Sequence, residues 1–257
     1  MTAHTARMLR IEALITCIGI FLTPAPLSYK KNAQKKHDHD HRGLYLEEDV
    51  LLLPVSKTKP IEMIRELYDA GIRDFGENYV QEFVDKFEQL KDHGIIWHFI
   101  GHLQKNKVKY IVDKAFLIHT VDSFELAEEI QKQAEKKEIP CVRILLQVNI
   151  GREPQKGGCD PDEVCELFNK ISKLNRIQIC GLMSIPPFIE AEKLRPFHRK
   201  LFDLRSEVIE KCGADPEIFK ELSMGMSEDF DVAIEEGATI VRLGTILFGA
   251  REKKVTQ

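Results

Sequence analysis

The sequence predicts a single (β/α)8 barrel of the TIM type. Three observations carry that expectation. From residue 44 onward, eight short β-rich runs alternate with amphipathic helical stretches. The runs are nearly continuous in apolar residues, which suits parallel strands covered on both faces. The length, 257 residues, is close to the about 250 that such a barrel needs. A doubly wound open sheet is the competing architecture, but no G-x-G-x-x-G follows the first run. With 43% hydrophobic residues, 30% charged and 15 Gly, the chain is neither disordered, collagen-like nor a small disulfide scaffold.

Val50–Ser56 is the first apolar strand, and Pro60 opens the helix after it, where a missing N–H is no loss. Ile61, Ile64 and Leu67 recur at helical spacing, and Gly71 stops that helix. Ile72–Phe75 reads as the second strand, and Val80, Phe83, Val84 and Phe87 mark its helix. Ile95–Ile100 is the third strand, followed by a helix through Val108, Ile111 and Val112. Ala115–Val121 is the fourth, and Asp122 or Ser123 caps the helix behind it. Val142–Ile150 is the fifth, with a helix from Pro161 to about Lys173. Ile177–Ile185 is the sixth, and a long helix covers Leu194–Lys211. Glu221–Met224 ends the seventh strand, Phe230–Glu236 is helical, and Thr239–Leu243 is the eighth strand.

The formal net charge of −4 averages two unlike pieces. Residues 1–43 carry seven Lys/Arg against three Asp/Glu, while residues 44–257 carry 30 basic and 38 acidic side chains. The first piece reads as a variable leader, expected to be poorly ordered, and the second as the barrel domain. Ile11–Leu27 is apolar between Arg7, Arg10 and Lys30, Lys31, which suits a signal peptide or short anchor. Glu12 at its start, its length short of the ~18 residues of a spanning helix, and Pro24 and Pro26 at its end favour a plain leader. His37-Asp38-His39-Asp40-His41 reads as a solvated linker or as a weak divalent-metal site. The acidic body gives no nucleic-acid surface, and no membrane association is expected. Six cysteines include no C-x-x-C pair. Cys141 and Cys180 lie in apolar runs and read as small core residues, while Cys159 and Cys165 share one local segment. This usage fits a reducing, cytoplasmic setting.

In a barrel, function sits at the C-terminal ends of the strands. Ser223-Met224-Gly225-Met226-Ser227 after the seventh strand and Gly244-Thr245 after the eighth are rich in small residues. They suit a phosphate held by backbone N–H groups and helix starts, or two ordinary βα turns. Lys57 follows the first strand, and Lys59 is its competitor two residues on. A lysine in partly apolar surroundings can form a Schiff base with a carbonyl; otherwise the two are solvated lysines. Arg242, ahead of the last loop, could face a pyridine nitrogen and leave it unprotonated, or form a surface ion pair with Glu235 or Glu236. A phosphate anchor, a reactive lysine and a ring-nitrogen partner together are what pyridoxal 5′-phosphate (PLP) requires. A phosphosugar-binding barrel, with Lys57 on another carbonyl, is the alternative from spacing alone.

Val55-Ser56-Lys57-Thr58-Lys59-Pro60, Phe75-Gly76-Glu77-Asn78-Tyr79-Val80-Gln81-Glu82 and Trp97-His98-Phe99-Ile100-Gly101-His102-Leu103-Gln104 resemble motifs of the pyridoxal phosphate homeostasis protein family. Gly181-Leu182-Met183-Ser184-Ile185-Pro186-Pro187, Leu222-Ser223-Met224-Gly225-Met226-Ser227, Val241-Arg242-Leu243-Gly244-Thr245 and Phe248-Gly249 continue the likeness in the family's order. The resemblance implies a barrel like the N-terminal domain of alanine racemase, with Lys57 as the Schiff-base lysine and Arg242 at the pyridine nitrogen. It also implies that Ser223, Gly244 and Thr245 hold the phosphate, that Asn78 lies beside the cofactor, and that Lys156 offers a secondary cofactor site. The implied function is holding, buffering or delivering PLP to PLP-dependent apo-enzymes, as a monomer or weak dimer with no established turnover. An amino-acid racemase is the alternative. It would need a second, β-rich domain with a catalytic tyrosine, which a chain ending at Gln257 is expected to lack. Two features depart from the family's pattern. A helix usually precedes the first strand and has no clear equivalent in residues 1–43. Pro54 falls in the first strand, where a proline removes a ladder donor and threatens barrel closure.

Overall fold

The computed structural model describes residues 45–46 and 50–249. The leader, with its His/Asp run, Cys17 and the question of the preceding helix, lies outside the described residues. The elements run β1 (Tyr45–Leu46), β2 (Val50–Pro54), α1 (Ile61–Asp69), β3 (Asp74–Glu77), α2 (Val80–Leu90), β4 (Ile96–Phe99), α3 (Val108–Ile111) and β5 (Leu117–Val121). They continue α4 (Phe124–Lys136), β6 (Val142–Val148), α5 (Val164–Ile171), β7 (Ile177–Ser184), α6 (Ala191–Cys212), β8 (Glu221–Met226), α7 (Phe230–Glu235), β9 (Ile240–Leu243) and α8 (Thr245–Phe248). Strands β2 to β9 are parallel and ordered β2-β9-β8-β7-β6-β5-β4-β3, with β1 antiparallel on the outer edge of β2. This is the expected eight-stranded barrel with helices between the strands. The inner cluster of Leu53, Val55, Ile100, Leu117, Leu145, Cys180, Met183 and Ile240 fills the interior, and a larger apolar layer lies between strands and helices.

The barrel closes at the β2–β3 seam through a single parallel bridge, Val55 to Gly76, with Ser56 N–H donating to Gly76 O at 3.0 Å. Pro54 explains why. Leu51 and Val55 donate their N–H groups to Thr239 and Leu243 of the β9 side, at 2.8 and 2.9 Å. Backbone groups alternate sides along a strand, so position 54 faces β3. The proline therefore stays inside β2, opposite Leu243, and leaves the β9 ladder intact. Its missing donor falls on the seam alone.

The second strand lies two residues later than the periodicity suggested, at Asp74–Glu77 rather than Ile72–Phe75. Ile72 is taken by the stop of α1. Gly71, at φ 101°, donates to Tyr68 O, and Ile72 donates to Leu67 O, which is a Schellman closure. Ile72 supplies its apolar contact and is buried. Three smaller expectations also change. Ser123 takes the N-cap position of α4 but its hydroxyl makes no capping bond. Pro161 opens a 3-10 turn, Pro161–Glu163, before α5. Cys141 is exposed just before β6, whereas Cys180 is buried as expected.

Candidate functional site

Lys57 lies at the C-terminal end of β2, half-buried, in a turn closed by Lys59 N–H donating to Ser56 O at 3.0 Å. Thr58 in that turn adopts φ 59°, which costs a β-branched residue about 1–3 kcal/mol and persists only where neighbours enforce it. Those neighbours reach across the seam. Thr58 N–H donates to Glu82 Oε1 at 2.6 Å, and Ser56 Oγ donates to Glu77 Oε1 at 2.7 Å. Lys86 Nζ donates to Ser56 O, Glu77 Oε1 and Glu82 Oε1 at 2.6–2.7 Å. Both residues flanking Lys57 are thus tied to β3 and α2, where the ladder is missing. Burial pushes the Glu77 carboxyl up, and the Lys86 ammonium pulls it back. Lys59 does not share the place of Lys57: its Nζ donates to Phe248 O and Gly249 O, at 3.1 and 3.0 Å, and so satisfies the end of α8.

Arg242 is buried inside the barrel. The surface pairing considered for it is absent, because Glu235 and Glu236 bind Arg195 instead. Its Nη2 donates to Ser184 O at 2.9 Å and its Nη1 to Ser223 Oγ at 2.8 Å. Burial lowers its pKa to about 10, against the favourable field of Asp229, so it remains cationic at neutral pH. Ser223 Oγ also meets His119 Nδ1 at 2.9 Å; His119 Nε2 meets His98 Nδ1 at 3.0 Å; and His98 Nε2 meets Asp74 Oδ1 at 3.0 Å. Burial first, then His98 and Arg242, hold His119 well below its ordinary pKa.

This places Ser223 differently from the expectation. Its Cα pairs with Ile240, four residues and about 13 Å of strand below Gly244, and its hydroxyl is committed to His119 and Arg242. Gly244 and Thr245 start the one-turn helix α8 at the mouth, half-buried and exposed respectively. The C-terminal end of β8 stands beside them. Gly225 there has φ 86°, and a Cβ on it would come within 2.6 Å of Ala233 Cβ, so only glycine lets this strand end lie against α7. Met226 N–H and the buried His198 both bond to Asp229, which fixes the same strand end to α6. Asn78 sits at the end of β3, and its carbonyl fits against Gly101 with no room for a Cβ. Its Oδ1 and the Oγ of Ser184 are buried without a hydrogen-bond partner among the described residues. Lys156, in the loop after β6, donates to Pro186 O and pairs with Glu153, both at 2.6 Å.

Sequence reading assigned no role to Asp74, Glu77, Lys86, His98 or His119. The available signal was a titratable side chain in an otherwise uncharged, mostly apolar strand, as with His119 in Leu117-Ile118-His119-Thr120-Val121.

The eight-stranded barrel with a lysine after its first parallel strand and an arginine buried inside is of the alanine racemase N-terminal class. The sequence family described as alanine racemase, N-terminal domain, matches residues 45–252. Within that class the chain belongs to the pyridoxal phosphate homeostasis protein family. It is 50% identical to the protein of that name from Aquifex aeolicus over 220 residues, 85% of this chain and 93% of the relative. The Escherichia coli protein is 42% identical over 211 residues, 80% of this chain and 87% of the relative. The solved structure of PipY from Synechococcus elongatus with PLP bound matches with TM-score 0.72 and 35% identity, over 88% of this chain and all of PipY. An alanine racemase of Clostridium difficile, 17% identical, shares the fold alone, with TM-score 0.62 over 81% of this chain and 55% of that one. No helix of the described residues is long and apolar enough to cross a membrane.

Proposed function

We propose that this chain binds PLP at the C-terminal mouth of the barrel, holds it on Lys57, and buffers or delivers it without a reaction of its own. The observation that carries the reading is the buried Ser184 hydroxyl without a partner among the described residues, on the residue whose carbonyl accepts from Arg242. Leaving such a group unmet costs about 1–3 kcal/mol, so the mouth is built for a polar ligand. The unmet Asn78 Oδ1 points to the same conclusion. Support also comes from the relatives, which are named for PLP homeostasis, and from PipY, whose structure contains PLP.

When bound, PLP supplies an aldehyde that a lysine amine captures covalently and a pyridine ring that serves as an electron sink. Lys57 is the amine, presented on a turn held from both sides. Arg242 donates to the ring nitrogen and, being cationic, leaves it unprotonated, which weakens the sink and suits a carrier. The start of α8 at Gly244 and Thr245, with the end of β8 and Ser227 beside it, receives the phosphate. Ser223 supports Arg242 rather than the phosphate, and Asn78 lies against the ring. Lys156, already paired, is a second-site lysine only after its bond to Pro186 opens. A reducing, cytoplasmic setting fits the free cysteines among the described residues. The recipients are PLP-dependent apo-enzymes, and the carrier works as a monomer or weak dimer.

Purified protein given PLP is expected to show a visible absorbance band that Lys57→Ala abolishes and Lys59→Ala retains. A folded wild type with no band overturns the reading. Measurable racemisation of amino acids by the loaded wild type overturns its non-catalytic part.

A further inference from the structure

The row of polar groups across the barrel interior has two ends of fixed character. A guanidinium only donates and a carboxylate only accepts. Arg242 therefore donates to Ser223 Oγ, and Asp74 Oδ1 accepts from His98 Nε2. A neutral His98 protonated at Nε2 offers a lone pair at Nδ1, so His119 Nε2 must donate to it. A neutral His119 protonated at Nε2 offers a lone pair at Nδ1, and the single Ser223 proton goes there. With both imidazoles neutral this is the one assignment that makes every bond, and all of them run in one sense, from Arg242 to Asp74. Reversing it would set two lone pairs against each other between Asp74 and His98. The depressed proton affinity of buried His119 agrees with a neutral ring.

We propose that Asp74, His98 and His119 form a relay that positions Arg242 for the cofactor. The relay keeps the lone pair of Ser223, not its proton, toward the guanidinium, and it links that guanidinium to a buried carboxylate through four hydrogen bonds in series. Asp229 acts on Arg242 from the α7 side, and the Ser184 carbonyl fixes Nη2, so the relay sets the remaining direction. The inference rests on the reading of Arg242 as the partner of the pyridine nitrogen. Asp74, His98 and His119 are positioning residues in it, since each acts through the next.

Two measurements test it. Nitrogen-15 NMR of the full chain without cofactor, near neutral pH, should show one protonated nitrogen, Nε2, on His98 and on His119. A doubly protonated ring or an Nδ1 tautomer on either overturns the relay. With PLP added, His119→Leu should weaken binding about tenfold and move the pH midpoint of the visible band by about one unit. Asp74→Asn, whose amide oxygen still accepts from His98 but carries no charge, should fall between wild type and His119→Leu in both. A role in packing alone would lower Tm and leave the pH midpoint in place, and that result overturns the inference. If His119→Leu does not fold, Ser223→Ala is read by the same two measurements. A wild type with no band would instead be a failure of the proposed function, and the NMR result would still decide the relay.

Discussion

Lys86→Met is expected to lower folding stability by about 3–5 kcal/mol, the range for removing one partner of a buried ion pair. Lys86 is only 5% exposed and Glu77 is fully buried, so the carboxylate left behind has no route to water. Its Oε1 would keep the Ser56 hydroxyl, and its Oε2 already has no partner among the described residues. The loss is not confined to the pair. Lys86 also holds Ser56 O and Glu82, and Glu82 holds Thr58 N–H, so the strained Lys57 turn loses its enforcement together with the seam. The sign of the pH dependence follows from Glu77. Burial already raises its carboxyl against the pull of Lys86, and without Lys86 the folded pKa rises further, while the unfolded value stays near ~4.3. A folded pKa above the unfolded one means that the fold binds this proton more tightly. The stability of the variant therefore rises as pH falls from the folded value toward the unfolded one. Urea melts should show a smaller deficit against wild type near pH 5 than near pH 8. Equal deficits at both would mean that Glu77 is not the uncompensated group.

The barrel was legible because period carries it: apolar runs alternating with helical spacing locate the strands to within a few residues. The exception, Ile72, shows the limit. An apolar residue can close a helix or begin a strand, and only the hydrogen bonds of the Schellman stop decide which. Pro54 shows another. The missing donor was visible, but which neighbour it faced depends on parity along the strand, and that requires the register with Leu243. Lys57 and Arg242 stand out in the sequence because rare charged residues next to apolar runs are conspicuous. Their supports do not, because His98, His119 and Asp74 come from separate strands and meet only across the closed interior. Glu77 and Lys86 read as an ordinary acidic strand end and an ordinary helical lysine until the seam brings them together. The depth of Ser223 is hidden for the same reason: the resemblance and the small-residue loop set it beside Gly244 and Thr245, and only the register with Ile240 shows it about four residues further down the strand.

Gly101→Ala separates close approach from backbone strain. Gly101 has no left-handed φ, yet a Cβ there would overlap the Asn78 carbonyl, which is backbone and cannot swing aside. Gly94 is the converse, with φ 65° and nothing within 4 Å of a built Cβ. Gly94→Ala should cost about 1 kcal/mol, the price of a left-handed alanine, and leave PLP binding untouched. Gly101→Ala should cost about 3 kcal/mol as an overpacked site with little room to relax. It should also weaken PLP binding by about tenfold or more, because the displaced segment carries Asn78 and follows directly on Glu77, the anchor of the Lys57 turn. Moving that segment disturbs the ring side and the lysine side of the mouth at once, although Gly101 itself presents nothing to a ligand. Thermal melts and PLP titrations of the two variants, side by side, provide the check. If both lose stability equally and neither loses affinity, the approach of Gly101 to Asn78 is not what shapes the mouth.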